Sequence, residues 1–303
     1  MSKDIRKGII LAGGKGTRLF PITKGISKQL MPVYDKPMIY YPLCTLMLAG
    51  IKEFLVITNP NDKIAFENLL EDGSKWGIKI NYKIQMQPDG IASALILGEE
   101  FLANSPSALI LGDNLFHGEN LINKLKVANK KIDSSTIFAY AVSDPERYGV
   151  VDFDSSGKAL SIEEKPKVPK SRYAITGLYF FDKNAPRNAK TLSPSNRGEL
   201  EITDLNKLYL KEGKLNVSII GRGTTWLDTG TFDSLHQASS YIRTLEKRQG
   251  QKVCVPEEIA WRMGFINNIR FKKLAKSLEK SGYGQYLLGL LKEKYFFNTM
   301  EIN

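Results

Sequence analysis

The sequence predicts an α/β fold built on a mostly parallel sheet, and three observations carry that expectation. Short β-branched and aromatic runs alternate with helix-length stretches through the first half of the chain. The first of these runs, Ile9-Ile10-Leu11-Ala12, opens at once into Gly13, Gly14 and Gly16, as a buried strand does when it ends in a close turn. A hydrophobic content of 42% over 303 residues is enough for one large domain or two smaller ones.

Taken in order, the runs read as strands at Glu53 to Thr58, Asn81 to Gln85, Ala108 to Leu111, Thr136 to Val142 and Tyr173 to Phe181, each bounded by Gly, Pro, Asn or Asp. Helix-length stretches lie between the early ones: Met38 to Ala49, Asp62 to Glu71, Ile91 to Leu102 and Leu121 to Asn129. This order implies a Rossmann-like sheet with helices on both faces, whose ligands bind beyond the carboxyl ends of the strands. After Val150 the strands shorten to Val150–Phe153 and Ala159–Ile162, which suggests antiparallel additions that carry a sugar or other substrate pocket. A helix from Gly198 to Leu210 and a strand from Asn216 to Ile220 follow. From Thr231 onward nearly everything reads as helix, punctuated by Pro256, Gly264 and Gly282. The boundary therefore falls near Gly230, with an α/β core over 1–230 and a helical region for packing or subunit contact over 231–303.

Charge and composition narrow the function. The net charge of +11 allows nucleic acid, an anionic membrane or small anionic substrates as partners. Much of the excess lies in 124–131, 165–172 and 243–280, where basic residues alternate with apolar ones as on solvated helix faces. No zinc-finger spacing, helix-turn-helix or aromatic RNA-binding signature accompanies it, so nucleic acid is not expected. The longest nearly apolar stretch, Met38 to Ile51, is shorter than the roughly 18 residues of a membrane span, and no signal-peptide core is legible. The expectation is a cytoplasmic protein whose two cysteines, Cys44 and Cys254, are thiols.

The glycine turn suits a phosphate, because its backbone N–H groups are open to close approach and Arg18 and Lys28 add a planar fork and a point charge. It is neither a P-loop nor a dinucleotide fingerprint: a P-loop needs GxxxxGK followed by Ser or Thr, whereas Gly13 is followed four and five positions on by Thr17 and Arg18, and Leu19 stands where a third glycine would be. Asp113 follows the buried strand Ala108–Leu111, where a carboxylate can hold Mg²⁺ or simply cap a Gly-Asp-Asn turn. Asp228, between Leu227 and Thr229-Gly230, is a second carboxylate of the same kind. In the middle of the chain, Glu164 and Glu199 are suited to sugar hydroxyls and Lys165 to a sugar phosphate, or all three to a salt-bridged surface. Gln85 either reads the edge of a pyrimidine or is a polar strand end. The two histidines, His117 and His236, lie outside every motif, which fits an already ionised phosphate acting as nucleophile without a general base, its second pKa being about 6.

Read together, GGKGTRLFPITKGISKQLMPVYDKPMIYYPL, PDGIASA, LGDNLF, DPERYGVV, EEKP, YAITGLYFFD, RGELEITDLN and WLDTGT resemble the sugar-1-phosphate nucleotidyltransferases, specifically the short bacterial glucose-1-phosphate thymidylyltransferase family. The resemblance runs from about Lys7 to the end. It implies condensation of dTTP with α-D-glucose 1-phosphate to dTDP-glucose and pyrophosphate, with Mg²⁺, as a first step toward dTDP-L-rhamnose and other cell-surface deoxysugars. It implies that Arg18, Lys28, Asp113 and Lys165 are catalytic and that Asp113 and Asp228 hold the metal. Leu11, Gly13, Gly14, Gly16, Thr17, Gln29, Gln85, Pro88 and Gly90 would bind the nucleotide. Tyr148, Gly149, Glu164, Ile175, Tyr179, Arg197 and Glu199 would surround the glucose phosphate. A homotetramer inhibited by dTDP-rhamnose is implied as well, with Lys252, Val253, Cys254, Glu258, Ile259 and Arg262 at the effector site.

The chain departs from the family's common QPSPDGLAQA, reading Gln85-Met86-Gln87-Pro88-Asp89-Gly90-Ile91-Ala92-Ser93-Ala94, and carries His117 and Ile122 near the expected effector pocket. Three other readings stay open at this level: uridylyl transfer, a catalytically silent sugar-nucleotide binder on the same fold, and a nucleic-acid binder. Base choice in the first turns on one methyl group, worth about 1–3 kcal/mol. Retention of Arg18, Lys28, Asp113, Lys165 and Asp228 argues against the second.

Overall fold

A computed structural model describes residues 5–155 and 157–292. The chain opens with β1 (Lys7–Ala12), a hairpin of β2 (Pro32–Val33) and β3 (Lys36–Pro37), α1 (Tyr40–Leu48), β4 (Glu53–Thr58), α2 (Lys63–Leu70) and β5 (Lys79–Ile84). Next come α3 (Ser93–Leu97), α4 (Glu99–Leu102), β6 (Ser107–Leu111), β7 (Asn114–Gly118), α5 (Leu121–Lys130) and β8 (Ser135–Ala141). The middle holds β9 (Gly149–Phe153), β10 (Ala159–Glu164), β11 (Tyr173–Phe181), α6 (Ala185–Ala189), α7 (Ile202–Lys211), β12 (Leu215–Ile220) and β13 (Thr224–Asp228). Four helices end it: α8 (Phe232–Gln249), α9 (Pro256–Arg262), α10 (Asn268–Ser277) and α11 (Gly282–Leu290).

The main sheet has nine strands, with the path β10-β9-β11-β6-β1-β4-β5 and with β8 and β12 joined to it through β11. β1 lies between β4 and β6, parallel to both, so the glycine loop after β1 emerges beside the loops that follow β4, β5 and β6. Alternation along the strands divides the core. Ile10, Val56, Ile110 and Phe180 face one side, packed with α1 and the C-terminal helices. Ile9, Leu55, Leu109 and Phe181 face the other, packed with residues of α3, α6 and α7. Buried Arg6 ties the end of the sheet, donating to Ser107 O (2.7 Å), Phe181 O (2.6 Å), Lys131 O (2.8 Å) and Asn129 Oδ1 (3.0 Å). Its burial lowers the guanidinium pKa to about 10.

Several expectations change in detail. The antiparallel strands β9, β10 and β11 belong to the main sheet itself, β11 lying directly against β6. The helix expected over Ile91–Leu102 begins at Ser93 and is interrupted at Gly98, where any side chain would strike Ile9 of β1. The helix expected from Gly198 starts at Ile202, because Gly198 has φ +75° and the Leu200 backbone bonds elsewhere, donating to Asp89 O (2.8 Å) and accepting from Ala92 N (3.2 Å). A two-stranded sheet of β7 and β13 was not anticipated. Residues on both sides of Gly230 share one core, which runs from Ile10 through Val255, Ile259 and Phe271 to Leu290. Residues 293–303 of the expected helical region and 1–4 of the expected core lie outside the described residues. No helix among the described residues is long and apolar enough to cross a membrane.

Candidate active site

The carboxyl end of the sheet borders an open cavity of about 880 Å³ lined by Arg18, Asp113, Tyr148, Gly149, Glu164, Lys165, Ile175, Tyr179, Arg197, Glu199 and Asp228. Eleven residues expected on the catalytic, metal and sugar sides of a site thus meet in one place, drawn from seven separate stretches of chain.

Asp113 stands between β6 and β7, and Asp228 ends β13, whose antiparallel register with β7 sets it opposite Asn114. The pairing fixes one carboxylate beside the other. Thr229 secures the corner, its N–H (3.2 Å) and Oγ1 (2.8 Å) both donating to Asp113 O. Asn114 acts as a clamp underneath: its Oδ1 accepts from Gly177 N (3.0 Å) and Trp226 Nε1 (2.6 Å), while Nδ2 donates to Asp113 Oδ1 (3.1 Å). Burial would lift the Asp113 carboxyl, but the charge and hydrogen bond of Lys28 outweigh it and hold it below its ordinary value. Asp228 goes the other way, raised by burial and then by the Asp113 charge. Two oxygen ligands that repel one another suit a hard divalent cation such as Mg²⁺, which binds through one or two carboxylates.

Lys28 forms an ion pair with Asp113, and Arg18 approaches Asp228, its Nη1 lying 3.6 Å from where a side chain on Gly230 would begin. The loop that carries both cations is shaped locally. Gly16 has φ +61°, and Thr23 Oγ1 donates to Gly16 O (2.7 Å), folding the chain back after Thr17. Gly13 is packed so closely on Gln85 that a Cβ would sit 2.8 Å from Gln85 Oε1, whereas Gly14 is open on all sides.

On the nucleotide side, the buried Gln29 accepts from Ser27 Oγ (2.8 Å) and lies under Gly112, where no side chain would fit. Gln85 is also buried, its amide donating to Ser93 Oγ (2.9 Å). Leu11 is half-buried beside them, with its carbonyl accepting from Gly112 N (2.9 Å), and Pro88 is exposed. None of Leu11, Gln29, Gln85, Pro88 or Gly90 lines the large cavity; Leu11 lies near the end of β1 and the others along the adjoining segments after β1 and β5.

On the opposite wall, Glu164 accepts from Thr203 Oγ1 and lies 3.6 Å from Arg197 and 3.7 Å from Lys165. Lys165 has left-handed backbone, φ +43°, a strained conformation for a side chain of this size, held by its N–H donating to Tyr148 O (3.0 Å). Arg197 pairs most closely with Glu201 (2.9 Å). Tyr148 packs edge-on to Trp226 at 5.2 Å, and burial raises the hydroxyl pKa of Tyr179, stacked on Phe181.

Sequence reasoning singled out neither Asn114, Arg147, Thr203, Trp226 nor the start of α8, all of which line or support the cavity. Trp226 and Thr203 lie inside motifs already noted, but only the β7–β13 pairing and the α7 start reveal what they touch. Thr231 caps α8 reciprocally with Ser234, aiming the amino end of an 18-residue helix at the cavity, where its dipole favours an anion.

The expected effector residues gather apart from this site. Lys252, Val253, Cys254, Glu258, Ile259 and Arg262 line a cavity of about 150 Å³ together with His117, Ile122 and Tyr286. Here Arg262 Nε donates to Glu258 Oε1 (2.7 Å) and Tyr286 Oη to Glu258 Oε2 (2.6 Å). Lys252 turns to Asp35 and Glu246. Cys44 and Cys254 are both free, as expected, and the buried Cys44 thiol is raised by burial and by a hydrogen bond with Cys254.

The profile of the nucleotidyl transferase family matches residues 7–244. The chain is 56% identical over 287 residues to a glucose-1-phosphate thymidylyltransferase of Neisseria meningitidis, covering 95% of this chain and 100% of that one. It is 58% identical to the enzyme of that name from Neisseria gonorrhoeae (94% and 99% covered) and 55% to that of Mycolicibacterium smegmatis (94% and 99%). Among solved structures, a Bacillus anthracis protein described by the same name superposes with a TM-score of 0.73 at 40% identity, over 78% of this chain and 95% of that one. A UDP-glucose pyrophosphorylase bound to UDP-glucose gives 0.70 at 26% identity, over 80% and 99%. The chain therefore belongs to the nucleotidyl transferase family, among the glucose-1-phosphate thymidylyltransferases.

Proposed function

We propose that this protein is an enzyme that joins dTTP and α-D-glucose 1-phosphate into dTDP-glucose, releasing pyrophosphate. The observation that carries the reading is the meeting of Asp113 and Asp228 with Arg18 and Lys28 on one side of a cavity and Lys165, Arg197, Glu164 and Glu199 on the other. The first group suits a triphosphate with its metal; the second suits a sugar phosphate. The names of the relatives agree with that pairing of substrates.

In this reading Gly13, Gly14, Gly16 and Thr17 cradle the nucleotide phosphates, and Arg18 and Lys28 stabilise the charge that builds on the departing pyrophosphate. Leu11, Gln29, Gln85, Pro88 and Gly90 hold the nucleoside. Lys165 and Arg197 orient the sugar phosphate for in-line attack on the α-phosphorus, with Glu164 and Glu199 on the sugar hydroxyls and Tyr148, Gly149, Ile175 and Tyr179 shaping the pocket. No side chain need remove a proton, since the attacking phosphate is already ionised. Asp113 and Asp228 would hold Mg²⁺, which supplies charge neutralisation at the α-phosphate. The described helices after Gly230 would serve assembly as a homotetramer in the cytoplasm, and the smaller cavity at Lys252–Arg262 would take dTDP-rhamnose as a feedback effector.

UTP in place of dTTP is the second reading, favoured by the likeness to the UDP-glucose pyrophosphorylase. The test is purified protein with Mg²⁺ and glucose 1-phosphate, given each nucleoside triphosphate in turn while pyrophosphate is followed. Release is expected with dTTP. No release with dTTP removes the reading, and equal release with UTP removes the base preference.

A further inference from the structure

We propose that Ser93 is a positioning residue that fixes which end of the Gln85 carboxamide faces the nucleobase, so that the site prefers bases carrying an N–H at the centre of their pairing edge. The proposal rests on the nucleotide reading given above. Its basis is a short hydrogen-bond relay. Gly90 O can only accept, and Ser93 Oγ lies 2.6 Å from it, so the hydroxyl proton is committed there. The oxygen lone pairs of Ser93 then face Gln85, 2.9 Å away, and a second bond forms only if Gln85 offers its NH₂. The amide orientation thus follows from an obligate acceptor two bonds upstream.

The relay has a rigid anchor. Gly90 has φ +97°, and any Cβ there would sit 2.4 Å from Leu200 O and 2.6 Å from Leu200 N. Leu200 N in turn donates to Asp89 O. At the other end Gln85 is 5% exposed, its backbone N–H donates to Thr58 O (2.8 Å), and its Oε1 is turned to Gly13 at the nucleotide loop. Among the described residues no side-chain or backbone donor meets that oxygen at hydrogen-bond distance. It is a fixed acceptor lacking a donor.

A fixed acceptor matches the N3–H of thymine or uracil. Cytosine presents an unprotonated N3 at the same place, leaving two acceptors opposed and one nearly buried oxygen unpaired, the arrangement that gives large discrimination. Without Ser93 the carboxamide can turn over and offer its NH₂ to cytosine instead.

The experiment compares dTTP with dCTP, in kcat/KM with Mg²⁺ and glucose 1-phosphate, for the natural protein, Ser93→Ala and Ser93→Thr. Ser93→Ala is expected to lower the dTTP/dCTP ratio at least roughly tenfold, with the loss for dTTP mainly in KM, and Ser93→Thr, which keeps the hydroxyl, to restore it. Calorimetric binding of dTDP and dCDP to the same three proteins reads the preference without turnover. A protein that binds dTDP through the relay but transfers nothing refutes the reaction and keeps the proposal. A dTTP/dCTP or dTDP/dCDP preference unchanged in Ser93→Ala, or lost equally in Ser93→Thr, overturns it.

Discussion

Lys28 and Asp113 form an ion pair that joins the glycine loop after β1 to the end of β6. The pair neutralises Asp113 with a cation of the chain itself. In the proposed reading, Asp113 and Asp228 would hold the metal, and Lys28 would then be available to the triphosphate.

Asp113→Asn removes one of the two carboxylates proposed to hold the metal while keeping the shape that Asn114 and Thr229 support. Turnover is expected to fall by about two orders of magnitude or more, with the melting temperature little changed. Steady-state pyrophosphate release and thermal unfolding check the two halves. Full activity in this variant would remove the metal assignment.

His117, half-buried and 3.2 Å from Tyr241 Oη, has its pKa lowered from 6.5 by burial. A lowered folded-state value means that the unfolded chain takes up the proton first as pH falls. Its contribution is therefore intact above pH 6.5 and is lost as the pH falls toward the lowered value. The natural protein should lose more melting temperature than His117→Gln between pH 7.5 and pH 5.5. Parallel curves for the two proteins would contradict this.

Lys36 is buried between Asp35 (2.5 Å) and Glu246 (2.7 Å), and Glu246 also accepts from Val253 N (2.9 Å). Lys36→Met leaves the Glu246 charge short of a partner and is expected to cost about 3 kcal/mol, read from the urea midpoint. Adding Glu246→Leu should recover more than half of the loss. A single-variant cost below about 1 kcal/mol would show that Lys252 alone suffices for Glu246.

Gly90→Ala sets a Cβ against the Leu200 backbone at a φ that alanine avoids. A loss of about 2 kcal/mol in stability is expected together with a higher KM for the nucleotide. Unchanged values of both would mean that the loop shifts freely.

The sequence made the opening loop and the parallel core legible because both are local. An apolar run with glycines at fixed offsets, and strands spaced by helix-length stretches, reflect backbone and periodicity rules that act over a few residues. The meeting of Asp113 with Asp228 was implied by the family resemblance alone and not by the residues' own pattern, since it depends on pairing between β7 and β13, more than a hundred residues apart, and Asp228 reads alone as turn vocabulary. The start of α7 was misjudged for a similar reason. Gly-Glu-Leu-Glu has helix-forming residues, yet the Leu200 backbone is committed to the loop around Gly90, and tertiary hydrogen bonds override propensity there. Cys44 and Cys254 likewise meet only in space.

The account stands most directly on whether pyrophosphate leaves dTTP because glucose 1-phosphate attacks it. The measurement is pyrophosphate and dTDP-glucose quantified together, with Mg²⁺ and dTTP, in the presence and absence of glucose 1-phosphate. Equal amounts of both products, and neither without the sugar phosphate, are the predicted result. Pyrophosphate released without the sugar phosphate, or none released with it, would contradict the account.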